Sequence, residues 1–192
     1  MSDTQQPIVS KRAESPLLEK IEVTKFVKPR HGEQMNFEVN LVAESLDGMK
    51  KRAVVEPNLP TWGVFEIECD EGGALGGTDT APPPLGYLSA GIAFCLLTHL
   101  SAFVRSKNLA IDKLRIEQRT RFSTTLVTDA EEAGDFRGRC DGVETHIVVE
   151  GQQTPEDIRA LARESENACM AMQSIMNATP TNTTLYLNGD RI

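Results

Sequence analysis

Two cysteines carry the clearest chemical signal in this chain of 192 residues. Leu88, Ile92, Cys95, His99 and Phe103 recur at steps of three and four, so they line one face of a helix. Ile158, Leu161, Ala162, Ser165, Cys169, Met172 and Met176 do the same in a second segment. Both thiols should therefore point inward, and two thiols that meet across a core suit redox chemistry. A thiolate can cleave a peroxide O–O bond, leaving a sulfenic acid, and a second thiol can close that acid to a disulfide. Buried cysteine is by itself more often a small hydrophobe, so the positions need elements that hold them together.

Those elements can be read from the pattern around them. The segment 1–20 is polar and is expected to be a mobile arm, with one domain over 21–192. Phe37 to Ala43, Arg52 to Glu56 and Gly63 to Cys69 read as strands, with Asp47-Gly48 as a turn, in an antiparallel meander. A loop rich in Gly and Pro follows, and its prolines lead into the Cys95 helix near Pro84. Lys113 to Phe122 and Gly142 to Glu150 alternate as strands with one wet face. Thr154 can cap the second helix, Pro155 suits its first position, and Glu156 and Asp157 suit its dipole. That helix is expected to run unbroken to about Ala178, with a last strand at Thr183 to Leu187. The fold class expected is α+β, two long helices on a mainly antiparallel sheet.

Composition narrows the partners. A net charge of -8 argues against nucleic acid and anionic membrane. The start lacks a signal peptide's basic and apolar regions, and no later stretch reads as a membrane span, which points to the cytoplasm. There a cysteine pair that oxidises is usually catalytic or redox-sensing. Three histidines and four cysteines are too scattered for a zinc site, so no metal or cofactor is expected. Gly72-Gly73 and Gly76-Gly77 lack the continuation of a phosphate cradle, and loop geometry accounts for them. Cys69 and Cys140 read as structural, His31 and His146 as surface residues, and Arg115, Glu117, Arg119 and Arg121 as a solvated sheet face. His99, four residues after Cys95, reads as an interior or interface histidine that could also serve as base or charge partner to the thiol.

The run Pro84 to Cys95, followed after two strands by Gly151, Pro155-Glu156-Asp157-Ile158 and Glu166-Asn167-Ala168-Cys169, resembles the OsmC/Ohr family of osmotically inducible and organic hydroperoxide resistance proteins. The resemblance covers roughly residues 35–188. It implies an intertwined homodimer that reduces organic hydroperoxides, with Cys95 as peroxidatic and Cys169 as resolving cysteine, recycled by an external dithiol. It also implies an activating arginine near the first strand turn, where Lys50, Lys51 and Arg52 stand. Arg52 is the choice because guanidinium pairs bidentately.

Two departures from the family pattern stand out. The organic hydroperoxide reductases open this helix with Pro-Glu, whose carboxylate orients the arginine, and this chain has Pro84-Leu85. Glu71 and Asp79 are the candidates to replace that carboxylate. The usual Cys-Pro is Cys169-Met170. The alternative to a peroxidase is thus a dimer of the same fold that binds a small apolar ligand or senses redox state through the same thiols. Phe94, Leu96, Met170 and Met172 are expected beside the thiols, favouring an organic hydroperoxide over hydrogen peroxide.

Overall fold

A computed structural model describes residues 7–14, 18–125 and 137–192. The chain divides into two compact units, residues 1–87 and 88–192. The first unit carries a four-stranded antiparallel sheet of β1 (Val9–Arg12), β2 (Val39–Ser45), β3 (Lys51–Pro57) and β4 (Val64–Cys69), in the order β1-β4-β3-β2. β2 and β3 meet at Asp47-Gly48, where Lys50 N–H donates to the Asp47 carbonyl and Gly48 takes φ 64°. A positive φ of this size favours glycine, so the turn is encoded locally.

β1 lies in the segment read from the sequence as a mobile arm. Four residues of it, Val9 to Arg12, pair with Ile67 to Val64 of β4, and Arg12 forms an ion pair with Glu66. A stretch this short has too little pattern to announce itself, because its hydrogen bonds come from a strand far along the chain.

Between β4 and the first helix the chain folds back on the carboxylate of Asp70. That side chain is buried and accepts five hydrogen bonds: Glu71 N–H on Oδ1, and the N–H and hydroxyl groups of Thr78 and Thr80 on Oδ2. Burial alone would favour the neutral acid, but the donors from Thr78, Thr80 and Glu71 outweigh it and hold the carboxyl far below its ordinary range. The loop is tight enough that a Cβ on Gly77 would stand 1.8 Å from the Glu71 carbonyl oxygen. Gly77 thus serves loop closure, and Gly76 takes φ 79°.

Helix α1 (Pro84–Ser106) begins at the proline marked in the sequence and runs for 23 residues. Its mean hydropathy reaches 1.7 over an 18-residue window, long and apolar enough by length and composition to cross a membrane. This corrects the reading that no stretch qualifies; Arg105 near its end had obscured an almost uncharged run. Here its Ile92, Leu96 and Leu100 are buried in the core of the second unit.

The rest of that core comes from β5 (Ile111–Thr124) and β6 (Gly138–Gly151), an antiparallel pair whose Leu114, Ile116, Val143 and Ile147 face it, and from Leu161 of α2 (Pro155–Ala168). α2 starts on the anticipated cap. Asp157 N–H donates to Thr154 Oγ1 and Thr154 N–H returns a bond to Asp157 Oδ2, with Pro155 at the first position. A short hairpin, β7 (Tyr186–Leu187) with β8 (Asp190–Arg191), follows near the end.

The outer face of β5 and β6 is solvated, as its alternation indicated. Arg119 and Arg121 both reach Glu144, at 2.6 and 3.0 Å, and His146 Nε2 lies 3.2 Å from the same carboxylate. Hydrogen bonding from Arg119, then His146 and Arg121, holds the Glu144 carboxyl down to about 2. A depressed folded value stabilises the protein fully above the unfolded value of about 4.3, and that contribution is lost as pH falls toward 2. Melting curves from pH 7 to 2 should therefore show a shallow acid-side loss in the wild type that Glu144→Gln lacks. The shift should be a few degrees at most, roughly what an exposed cluster yields.

Candidate active site

The second helical segment breaks at the residue of interest. In place of one helix to Ala178, α2 ends at Ala168, Cys169 takes φ -75° and ψ 101°, and α3 (Met170–Met176) starts afresh. Cys169 closes the first helix and caps the second. Its Sγ accepts the Met172 N–H at 3.4 Å, and Gln173 Nε2 donates to the Glu166 carbonyl that the break leaves exposed. Nothing in Asn167-Ala168-Cys169-Met170 signals this, since every residue from Met170 to Met172 favours helix. The break holds the thiol at the start of a helical turn, on the buried side.

Cys95 lies about three turns into α1 and faces the same core. Cys95 packs against the buried cluster that holds Cys169, and the two thiols interact electrostatically. Both are free thiols, and they differ in access, since Cys169 is fully buried and Cys95 half-buried. Burial pushes the Cys169 thiol up, its contact with Cys95 adds to the rise, and the N–H groups of Met172 and Ala171 oppose it. Cys169 is therefore a protonated, sheltered thiol at neutral pH, next to a more accessible one. Such a pair can take up two electrons' worth of oxidation by forming a disulfide.

The other candidates fall in different places. Arg52, on β3 in the first unit, faces Glu44 across the β2–β3 ladder and forms an ion pair with it, with Glu66 of β4 at 3.8 Å. The hydrogen bond to Glu44 and its charge raise the arginine pKa. Glu71, considered as the orienting carboxylate, instead pairs with Lys51 at 3.5 Å, so Glu44 and Glu66 hold the guanidinium. Asp79 sits in a left-handed turn, φ 54°. His99 is half-buried and rests against the Phe103 ring, 6.4 Å between centroids. Cys69 ends β4 with its thiol pushed up by burial, and Cys140 is exposed on β6. Among the described residues no group of His, Cys, Asp or Glu is arranged to hold a metal ion.

The apolar residues expected around the thiols also separate. Leu96 is fully buried and Met172 nearly so, while Phe94 and Met170 are exposed. Leu96 thus belongs to the core and cannot face a substrate. A cleft of about 660 Å³ opens beside Met172, walled by Val143 and Thr145 of β6 and by Ile175 and Met176 of α3.

The sequence of residues 77–184 matches the model of the OsmC-like protein family, a stretch that contains both thiols and the helices carrying them. The chain belongs to that family. The OsmC-like fold recurs in an OsmC-like hydroperoxide resistance protein from Jannaschia sp. CCS1, at 20% identity and TM-score 0.52, covering 81% of this chain and 95% of that one. It recurs in an OsmC-like protein from Mycoplasma pneumoniae, at 16% identity and TM-score 0.52, over 76% and 91% of the two chains. An organic hydroperoxide resistance protein from Elizabethkingia anophelis gives 17% identity and TM-score 0.52, over 76% and 93%. No curated protein matches the sequence. At these identities the OsmC-like architecture is shared, and the chemistry must be argued from this chain's own residues.

Two features of this OsmC-like chain were not singled out in the sequence. Asp70 looks like any loop carboxylate, and its only signal is the pair of threonines eight and ten residues on. Ser165 lies in the anticipated apolar stripe, yet its hydroxyl is fully buried and has no hydrogen-bond partner among the described residues.

Proposed function

We propose that this protein is a thiol-dependent peroxidase that reduces organic hydroperoxides through a Cys95 sulfenic acid and a Cys95–Cys169 disulfide. The observation that carries the reading is a half-buried thiol packed against the cluster that holds a fully buried one. The accessible Cys95 meets the hydroperoxide. Its thiolate attacks the O–O bond, an alcohol leaves, and the sulfur keeps one oxygen. Cys169, held by the Met172 N–H, then displaces that oxygen as water, and an external dithiol restores both thiols by exchange.

Arg52 is the cation assigned to favouring the Cys95 thiolate. Glu44 and Glu66 pair with its guanidinium. An organic over an inorganic peroxide is supported by the likeness to proteins such as the organic hydroperoxide resistance protein from Elizabethkingia anophelis. A homodimer is supported by the apolar side chains that α1 leaves exposed, Leu88 and Phe94 among them. The cytoplasm fits a pair that must be returned to free thiols.

Leu85 favours a second reading, in which the same dimer binds a small apolar ligand or senses redox state. The two part on one experiment. Reduced protein treated with one equivalent of cumene hydroperoxide is expected to lose two hydrogens in intact mass within seconds, with peptide mapping placing a disulfide between Cys95 and Cys169. Thiols that stay free in folded protein would sink the peroxidase.

A further inference from the structure

Ser165 is a helical serine with an unusual position. Its hydroxyl could bond back to the carbonyl of Leu161, the common resting place for serine within a helix, yet it is unpaired and wholly buried. A buried hydroxyl without a partner destabilises the fold, and such a group calls for a reason. The reason lies one turn further on. Residues four apart on a helix bring their Cβ atoms to about 5–6 Å, and four residues after Ser165 stands Cys169.

The surroundings of Cys169 leave few other groups to help it. The buried cluster around it consists of Ile92, Leu96, Leu100, Leu161 and Met172, all apolar. Cys95 is the ionisable group in contact, and His99 is the next one on the same stripe of α1, half-buried against Phe103. The Met172 N–H already donates to the sulfur. The resolving step asks this sheltered thiol to become a thiolate in apolar surroundings, and a second donor would lower that barrier.

We propose that the Ser165 hydroxyl is a positioning residue for disulfide formation, donating its hydrogen to the Cys169 sulfur as that thiol loses its proton. The proposal deepens the thiol-pair reading and rests on it. Cys169 gives up its S–H proton, the Cys169–Cys95 S–S bond forms, and the S–O bond of the Cys95 sulfenic acid breaks. The departing hydroxide takes the proton and leaves as water. Hydroperoxide, consumed in the preceding step, is the oxidant. In the reduced resting state the hydroxyl waits unpaired, and its cost to stability is the counterpart of its use in the reaction.

A chromogenic aryl disulfide, 5,5′-dithiobis(2-nitrobenzoate), tests this apart from peroxide chemistry. In protein whose Cys69 and Cys140 are replaced by serine, Cys95 attacks the reagent and releases one coloured thiolate. Cys169 then attacks the mixed disulfide and releases a second. Ser165→Ala is expected to leave the first phase unchanged and to slow the second by about tenfold or more, the scale of a hydrogen bond to a charged group. Its melting temperature should equal or exceed that of the parent, because an unsatisfied hydroxyl is gone. An unchanged second phase, or a lower melting temperature, overturns the proposal. Parent protein that completes both phases with the reagent but forms no disulfide with hydroperoxide would overturn the peroxidase reading and leave the role of Ser165 standing.

Discussion

Cys95→Ser is expected to abolish hydroperoxide turnover, a fall of at least about a thousandfold, since a serine hydroxyl does not ionise near neutral pH and cannot act as the nucleophile. Cys169→Ser should behave differently. Its Cys95 still reacts once and forms the sulfenic acid, which a dimedone-type reagent traps at one per chain, but no disulfide closes and turnover with dithiol falls sharply. The asymmetry follows from access, because Cys95 is half-buried and Cys169 fully buried. Stopped-flow consumption of cumene hydroperoxide, followed in both variants and the wild type, reads it directly. Equal rates in all three would remove the mechanism. The reverse pattern, with Cys169→Ser dead in its first turnover and Cys95→Ser able to make one, would exchange the two roles. Both serines are close in volume to cysteine, but a hydroxyl at the fully buried position 169 is expected to cost stability, so melting curves of each variant establish that it is folded before its rate is read.

Parts of this arrangement were legible before any coordinates because their causes are local. Pro84 opens α1, Thr154 and Asp157 close a reciprocal cap on α2, and Asp47-Gly48 turns β2 into β3. The 3.6-residue stripes put Cys95 and Cys169 on inward faces, and both lie in the core of the second unit. What escaped depends on distant partners or on chemistry that propensities do not weigh. β1 exists because β4 offers it an edge. The break after Ala168 exists because a sulfur can accept a backbone N–H, in a stretch where every neighbouring residue favours helix. The orienting of Arg52 by Glu44 depends on the β2–β3 register, which a loop-based search for a carboxylate could not reach.

The break at Cys169 and the unpaired hydroxyl at Ser165 belong to one design of local conflict. A continuous helix would be the more stable arrangement for Ala168 to Met172, and an alanine at position 165 the more comfortable core. The break lets Cys169 Sγ accept the Met172 N–H, and the Ser165 hydroxyl is proposed to act on the same sulfur. Burial raises the cost of ionising Cys169, and the Met172 N–H already acts against that cost in the reduced protein. In the proposed reaction the Ser165 hydroxyl adds to it once the thiolate forms.

The largest effect on stability should come from Asp70. Asp70→Ala is expected to lower the melting temperature by about 10 °C, because it removes five hydrogen bonds, from the part-buried donors of Glu71, Thr78 and Thr80, at once. Asp70→Asn offers a finer test. Four of the five hydrogen bonds converge on Oδ2 and one on Oδ1, so an amide that turns its oxygen toward the threonines must aim its NH2 at the Glu71 N–H. The amide should therefore recover only part of the loss. The loop that Asp70 gathers ends at Pro84, the first residue of the helix that carries Cys95. Limited proteolysis should then cut between residues 71 and 83 in Asp70→Ala while sparing the wild type. Because hydrogen bonding holds the Asp70 carboxyl far below its ordinary range, its contribution is complete above about pH 4 and is lost only in strong acid. The gap in melting temperature between wild type and Asp70→Ala should accordingly stay constant from pH 5 to 8. A gap that closed within that range would mean that the loop is held by something other than this carboxylate.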